Sequence, residues 1–198
     1  MEHYFTEKPT SEKVLYKNQF LIKRIQKFIP YYASSGVFAI KKVDTGSELL
    51  IQKAVIKKNQ KILDLGCGYG IIGIALKTIE PTLEVTFSDI NERALELTST
   101  NLKLNNLQGT VIKSDSFNLI DAKFDSILLN PPQTAGKDLC LKLIRDSKEY
   151  LKAKGSLQLV ARHKKGGEVL SKYMKEIYGN VKELGKGSGF RVYYSQIK

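Results

Sequence analysis

From Lys61 to the C-terminus, short apolar runs alternate with helical patterns, and this alternation restricts the fold more than any other feature of the chain. Lys61-Ile62-Leu63-Asp64-Leu65 predicts a strand, followed by a helix over residues 71–79 that stops ahead of Pro81. Val85-Thr86-Phe87-Ser88 predicts the next strand, and Asn91 the N-cap of a helix with Ala94, Leu95, Thr98 and Leu102 on one stripe. Val111-Ile112 and Ser126-Ile127-Leu128-Leu129 are further strands. Leu139, Leu143, Ile144, Tyr150 and Leu151 share a helical stripe, with Gly155 as the left-handed residue past its end. Ser156 to Val160 is a strand, and Val169, Leu170, Tyr173, Met174 and Ile177 mark the last helix. Strands separated by helices build βαβ units and hence a parallel sheet. The end breaks the pattern. Between Val181–Leu184 and Phe190–Tyr194 stand only Gly185-Lys186-Gly187-Ser188-Gly189, too few residues for a crossover helix, so these two runs pair as an antiparallel hairpin.

The first sixty residues carry weaker patterns. Thr45-Gly46-Ser47-Glu48 fits a capping box and predicts a helix to about Ile56. Phe20 to Tyr32 mixes β-branched, aromatic and basic residues, which predicts a strand pair with Pro30 at an edge. With 198 residues and no repeat or low-complexity linker, the expectation is one α/β domain over residues 45–198 and an N-terminal β/α extension over residues 1–44 packed on it.

Composition narrows the function classes. Apolar runs fall far short of the ~20 residues that span a bilayer, and the opening Met1 to Lys8 lacks a basic start followed by an apolar core. Cys67 and Cys140 stand far apart without a CxxC, and His3 and His163 are the two histidines, which excludes a disulfide framework and a Cys- or His-based metal centre. A cytoplasmic, metal-free protein is expected. Lys and Arg number 32 against 20 Asp and Glu, a formal net charge of +12, which favours a polyanion such as RNA as partner.

Asp64-Leu65-Gly66-Cys67-Gly68-Tyr69-Gly70 falls where the first core strand turns into its helix. Glycines there allow a tight turn and let backbone N–H groups approach a ligand. Gly68-Tyr69-Gly70-Ile71-Ile72-Gly73 matches GxGxxG, and Asp89 follows at the end of the next strand, where a carboxylate holds ribose hydroxyls. A nucleoside-type cofactor is the reading; a glycine turn that merely packs helix on sheet is the alternative. Asp64 suits a cationic amino-acid moiety better than a pyrophosphate. Asp115, at the end of the third strand, is placed to accept a bond from an adenine amino group.

These residues, with the antiparallel terminal hairpin, resemble the class I S-adenosylmethionine (SAM) methyltransferases, whose motif runs acid-x-Gly-x-Gly-x-Gly. The resemblance implies a Rossmann-like sheet of about seven strands, the last antiparallel, and SAM as cofactor. It places Asp64, Gly66 and Gly68 along the methionine part, Asp89 at the ribose and Asp115 at the adenine. Cys67, Gly70, Ile90, Ser116 and Asn130 complete the implied cofactor set.

Asn130-Pro131-Pro132-Gln133 closes the fourth strand, on the sheet edge where open α/β folds bind ligands. Two prolines fix φ and remove two N–H donors, leaving a stiff loop of acceptors suited to an –NH2 group. Asn-Pro-Pro-(aromatic) resembles the motif of methyltransferases acting on amines of adenine, guanine or glutamine. The wider pattern is similar to the small methyltransferase domain of guanine-specific rRNA enzymes, particularly archaeal-looking members. It includes the run His3 to Pro9, Ser35-Gly36-Val37-Phe38, Lys164-Lys165-Gly166-Gly167 and Gly187 to Val192. The resemblance implies methylation of an exocyclic amine of RNA, guanine N2 of small-subunit rRNA, with Asn130, Pro131, Pro132 and Gln133 as the catalytic loop. Gln133 departs from the aromatic of many members: it can hydrogen-bond a base edge but cannot stack on it. A protein glutamine methyltransferase and an NAD-dependent oxidoreductase are the alternatives.

The remaining candidates are plainer. Cys67 reads as a small filler of the cofactor loop and Cys140 as core, which argues against pyrimidine C5 methylation through a thiolate. His163 reads as a surface or rim residue. Arg162, Lys164 and Lys165 follow a parallel strand on the cofactor edge and are candidate RNA contacts, with a solvated charge run as the alternative.

Overall fold

The structure, a computed structural model, describes residues 7, 14–37, 39, 41–133 and 136–198. Most of the run His3 to Pro9 and residue Phe38 lie outside the described residues. In chain order the elements are β1 (Leu15–Ile22), β2 (Lys27–Ser34), α1 (Thr45–Lys53), β3 (Lys61–Leu65), α2 (Ile71–Ile79), β4 (Glu84–Asp89), α3 (Glu92–Leu104), β5 (Thr110–Lys113), β6 (Phe124–Leu129), α4 (Lys137–Ser147), β7 (Leu151–Arg162), α5 (Glu168–Tyr178), β8 (Lys182–Gly187) and β9 (Phe190–Gln196).

Seven strands form one sheet in the order β5-β4-β3-β6-β7-β9-β8. The strands from β5 to β7 are parallel, and β9 runs antiparallel between β7 and β8. This is the predicted Rossmann-like methyltransferase topology. Strand alternation sorts the side chains onto two faces. Ile62, Leu128, Val160 and Val192 pack with α1, α2 and α3, whereas Leu63, Leu129, Leu159 and Tyr193 pack with α4 and α5.

The glycine pattern matters to this packing at two positions. A Cβ on Gly73 would stand 2.4 Å from the Phe87 ring of β4, so α2 lies against the sheet only because that atom is missing. Gly70 has φ +82 at the start of α2, and a Cβ there would meet the Thr98 side chain of α3 at 2.9 Å.

The strand pair expected near residues 20–32 is the β1–β2 hairpin, a separate two-stranded sheet in which Pro30 faces Gln19 on an edge strand. It is tied to α3 by side-chain amides. Asn101 Oδ1 accepts the Tyr32 N–H at 2.7 Å and its Nδ2 donates to the carbonyls of Tyr32 and Tyr69, while Asn105 Nδ2 donates to Pro30 O. Tyr31 stacks on Tyr69 with centroids 5.2 Å apart, a contact worth about 0.5–1.5 kcal/mol beyond burial.

Five expectations are corrected. The N-cap of α1 is Asp44, not Thr45: its Oδ1 accepts the N–H groups of Gly46 and Ser47. Glu48 turns to Gln52 and Lys23 instead of closing a capping box. The helix ends at Lys53 rather than near Ile56, because the Gln158 amide from β7 takes both the N–H and the carbonyl of Val55 at 2.8 Å. Tyr150 and Leu151 are not on α4, which stops at Ser147; a 3-10 turn over Lys148–Tyr150 leads straight into β7. Gly155 lies inside β7 at a bulge, where a Cβ would press on Lys152 O at 2.8 Å, and Lys154 takes the positive φ. The C-terminal hairpin is tighter than predicted, with Ser188 and Gly189, both at positive φ, as its two-residue turn.

Candidate active site

A cavity of about 250 Å³ opens beyond the carboxyl ends of β3, β4, β5 and β6, as the general rule for open α/β sheets requires. Its floor is the turn after β3. Gly66 (φ +67) and Gly68 (φ +57) line it, and neither has an atom within 4 Å of where a Cβ would stand. The Gly66 and Cys67 N–H groups donate to Ser88 O, and Thr98 Oγ1 donates to Gly68 O, so the turn is anchored to β4 and α3.

Asp89 stands across from the glycines. Its Oδ2 accepts the Gly68 N–H at 2.8 Å and its Oδ1 the Asn91 N–H at 2.9 Å. A carboxylate oxygen has further lone-pair sites, so Asp89 presents two fixed acceptors to the cavity. Burial pushes its pKa up, opposed by N–H donors from Asn91, Gly68 and Ile90. Ile90 lines the cavity beside it, and Asp115 and Ser116 form the next wall. Ser116 sits at φ +54 with its hydroxyl on Asp115 Oδ1, a conformation that costs a non-glycine residue roughly 1 kcal/mol or more. The far side is apolar, including Ile72, Leu129, Pro132, Leu139 and Leu143.

Asp64 is placed differently from expectation. It does not line the cavity; it is 1% exposed and its Oδ2 accepts the Gly73 N–H at 2.9 Å, fastening α2 to β3. Gly70 is likewise absent from the wall. Burial pushes the Asp64 carboxyl up to about 7, with the Gly73 N–H pulling down and Asp89 adding to the rise. The unfolded chain leaves this carboxyl near its ordinary value, so the folded state holds the proton more tightly. The resulting stability is complete below about pH 4 and is lost as pH rises through about 7. Denaturant titrations should therefore show wild-type protein losing stability relative to Asp64→Asn across that window. A difference that does not vary with pH contradicts the buried acid.

Cys67 lines the cavity as a buried thiol, 3.6 Å from Thr98 Oγ1, and burial with the nearby Asp89 and Asp64 charges pushes its pKa well up. It is no thiolate nucleophile. Cys140 is core, as expected.

The loop after β6 brings Asn130, Pro131 and Pro132 to the cavity. Asn130 Nδ2 donates to Ser47 Oγ at 3.0 Å and lies 3.3 and 3.4 Å from the two Asp44 oxygens. Donor and acceptors sort the amide: its NH2 is held by α1, and its Oδ1 is the end left to accept. The Pro131 carbonyl already takes the Gln133 N–H at 2.8 Å. Gln133 is not turned to a base either. Its Oε1 accepts the Arg162 N–H and its Nε2 donates to Lys165 O, both at 3.0 Å, pinning the loop to the turn after β7. Arg162, Lys164 and Lys165 lie off this cavity, on a neighbouring concavity.

Sequence reasoning missed Asp44, Ser47, Tyr69 and Ser88 on the wall. The Tyr69 hydroxyl and Ser88 Oγ are buried without a hydrogen-bond partner among the described residues. A cradle of open glycines, a two-acceptor carboxylate, an apolar slot and unpaired hydroxyls fits a nucleoside carrying a polar amino-acid tail.

A family model described as methyltransferase small domain matches residues 29–194. The protein YbxB of Bacillus subtilis is 35% identical over 195 residues, covering 96% of both chains. Ribosomal RNA small subunit methyltransferase C of Haemophilus influenzae (strain PittGG) is 39% identical over 167 residues, 82% of this chain and 49% of the relative. The chain thus spans about half the length of the rRNA methyltransferases it matches. Among solved structures, the T. thermophilus 16S rRNA guanine-N2 methyltransferase RsmC, in complex with AdoMet and guanosine, superposes with a TM-score of 0.79 at 22% identity, covering 96% of this chain and 52% of that one.

Proposed function

We propose that this chain, which belongs to the methyltransferase small domain family, transfers the methyl group of SAM to an exocyclic amine of RNA, guanine N2 of small-subunit rRNA. The observation that carries the reading is the fixed Asn130 amide on the cavity wall, whose NH2 is tied to Asp44 and Ser47 while its Oδ1 has no partner among the described residues. The names of the relatives and the guanosine of the RsmC complex support the choice of acceptor.

Asp89 holds the ribose hydroxyls, Gly66 and Gly68 let the backbone meet the amino-acid part, and Asp115 with Ser116 borders the base. Asp64 acts beneath them by holding the glycine turn to α2, not by contact. SAM supplies a methyl group on a sulfonium centre, activated for direct displacement. The acceptor is the harder partner, because an aryl amine's lone pair is conjugated into its ring. Asn130 Oδ1, aided by the remaining lone pair of the Pro131 carbonyl, accepts hydrogen bonds from the amine and turns its nitrogen toward tetrahedral geometry. As the N–C bond forms the sulfonium S–C bond breaks, and one N–H proton of the methylated amine is released to solvent. The rest is alignment, which can supply ~7–11 kcal/mol. We place the protein in the cytoplasm and treat residues 1–44 as an extension packed on the catalytic domain.

Incubation with methyl-labelled SAM, small-subunit rRNA and a ribosomal protein mixture tests the reading. Label belongs in the RNA fraction. Label in protein would move the acceptor to a glutamine amide, and tight NAD binding without SAM binding would replace the reaction class.

A further inference from the structure

A second concavity, of about 360 Å³, lies beside the acceptor loop. One wall is the turn after β7, residues 162–167, where His163–Gly167 forms a wide helical turn broken at Gly166 (φ +98) before α5 begins. The other wall is the tip of the β8–β9 hairpin. The His163 N–H donates to Gly189 O at 3.0 Å and its Nδ1 meets the Tyr193 hydroxyl at 2.8 Å, so the two walls are fastened together.

Arg162, Lys164 and Lys165 reach the concavity from the first wall, Lys186 and Arg191 from the second, and no carboxylate lines it. Of the neighbouring acids, Glu168 pairs with Lys172 at 2.9 Å, away from the concavity, whereas Glu183 takes Arg191 at 2.7 Å and offsets that one charge. Lys164, Lys165 and Lys186 are exposed and pair with no carboxylate among the described residues. The Arg162 guanidinium lies 5.0 Å over the Phe190 ring, which fixes its plane in advance. Like charges gathered in one hollow repel each other even through water. An anion reverses the sign of that term.

The hollow is also joined to the chemistry. Gln133, three residues past Asn130, spends its whole amide on this wall, accepting from Arg162 N–H and donating to Lys165 O. We infer that the concavity is a phosphodiester site that grips the RNA strand flanking the target nucleotide, with Gln133 setting its distance from the acceptor loop. This inference rests on RNA being the substrate. It enlarges the basic set from the three residues after β7 to a two-walled site that includes Lys186 and Arg191.

Anisotropy titrations of a labelled small-subunit rRNA fragment at several salt concentrations test it, using the double variant Lys164→Gln/Lys186→Gln. Two lost phosphate contacts should weaken binding about tenfold at low salt and reduce the slope of log K against log salt by about 1.4–1.8. SAM affinity, measured by calorimetry, should be unchanged and shows that the variant is folded. A slope and affinity equal to wild type overturn the site while leaving the RNA reading intact. So does an equal loss in Lys58→Gln/Lys103→Gln, whose exposed lysines lie off the concavity. Wild-type protein that neither binds nor methylates RNA overturns the substrate reading, and this site with it.

Discussion

Asn130→Ala should lose about 100-fold or more in the rate of methyl transfer while SAM affinity stays within about twofold. The predicted loss is of the size seen when one fixed polar group facing a transition state is removed. Asn130 Oδ1 gains most of its value when the amine rehybridises, so its removal acts on the transition state rather than on binding. The proposed cofactor grips, Gly66, Gly68, Asp89 and Asp115, line the cavity from other loops. Single-turnover transfer from labelled SAM, paired with calorimetry, separates the two quantities. The network adds a second reading of the same site. Asp44 caps α1 and also holds the Asn130 NH2, so Asp44→Ala costs about 1 kcal/mol of stability and slows transfer. In the double variant the two rate losses should not add, because each removes the same oriented amide. Additive losses, or an Asn130→Ala protein of undiminished rate, would sink the assignment.

Asp89→Asn should weaken SAM binding roughly 10- to 150-fold, the 1.5–3 kcal/mol of a hydrogen bond to a charged group. Asparagine is the informative replacement. Alanine would strand two N–H groups, those of Gly68 and Asn91, which now end on the carboxylate. The amide keeps one acceptor for the loop and loses the charge offered to the ribose. Calorimetry on a folded Asp89→Asn protein that returns wild-type affinity contradicts the ribose role.

The fold was legible because its signals are local. A strand of five residues, a glycine turn and a helix over residues 71–79 follow from period and punctuation alone, and β3 and α2 fall at the predicted bounds. The stretch from Lys148 to Gly155 misled for an equally local reason. Tyr150 and Leu151 keep helical spacing from Leu143 and Ile144, yet a 3-10 turn and a β-bulge carry them into β7. Gly155 is there for a close backbone approach, which a sequence cannot distinguish from a helix stop. Around the site, the glycine loop, Asp89, Asp115 and the Asn-Pro-Pro run were readable because each closes a strand of a parallel sheet. What was not readable lies far away in sequence. Asp44 reaches Asn130 across 86 residues, and Gln133 reaches Arg162 across 29. Asp64 looked like a ligand because it stands just ahead of the glycines, where a carboxylate suits a cationic amino-acid moiety; its partner is the Gly73 N–H, nine residues on.

The most direct test of the account is the chemical position of the transferred methyl group. Small-subunit rRNA treated with the protein and isotopically labelled SAM is digested to nucleosides and analysed by mass spectrometry. The account predicts label on the exocyclic nitrogen of guanosine, lost in Asn130→Ala. Label on a ring carbon or a ribose oxygen would contradict it.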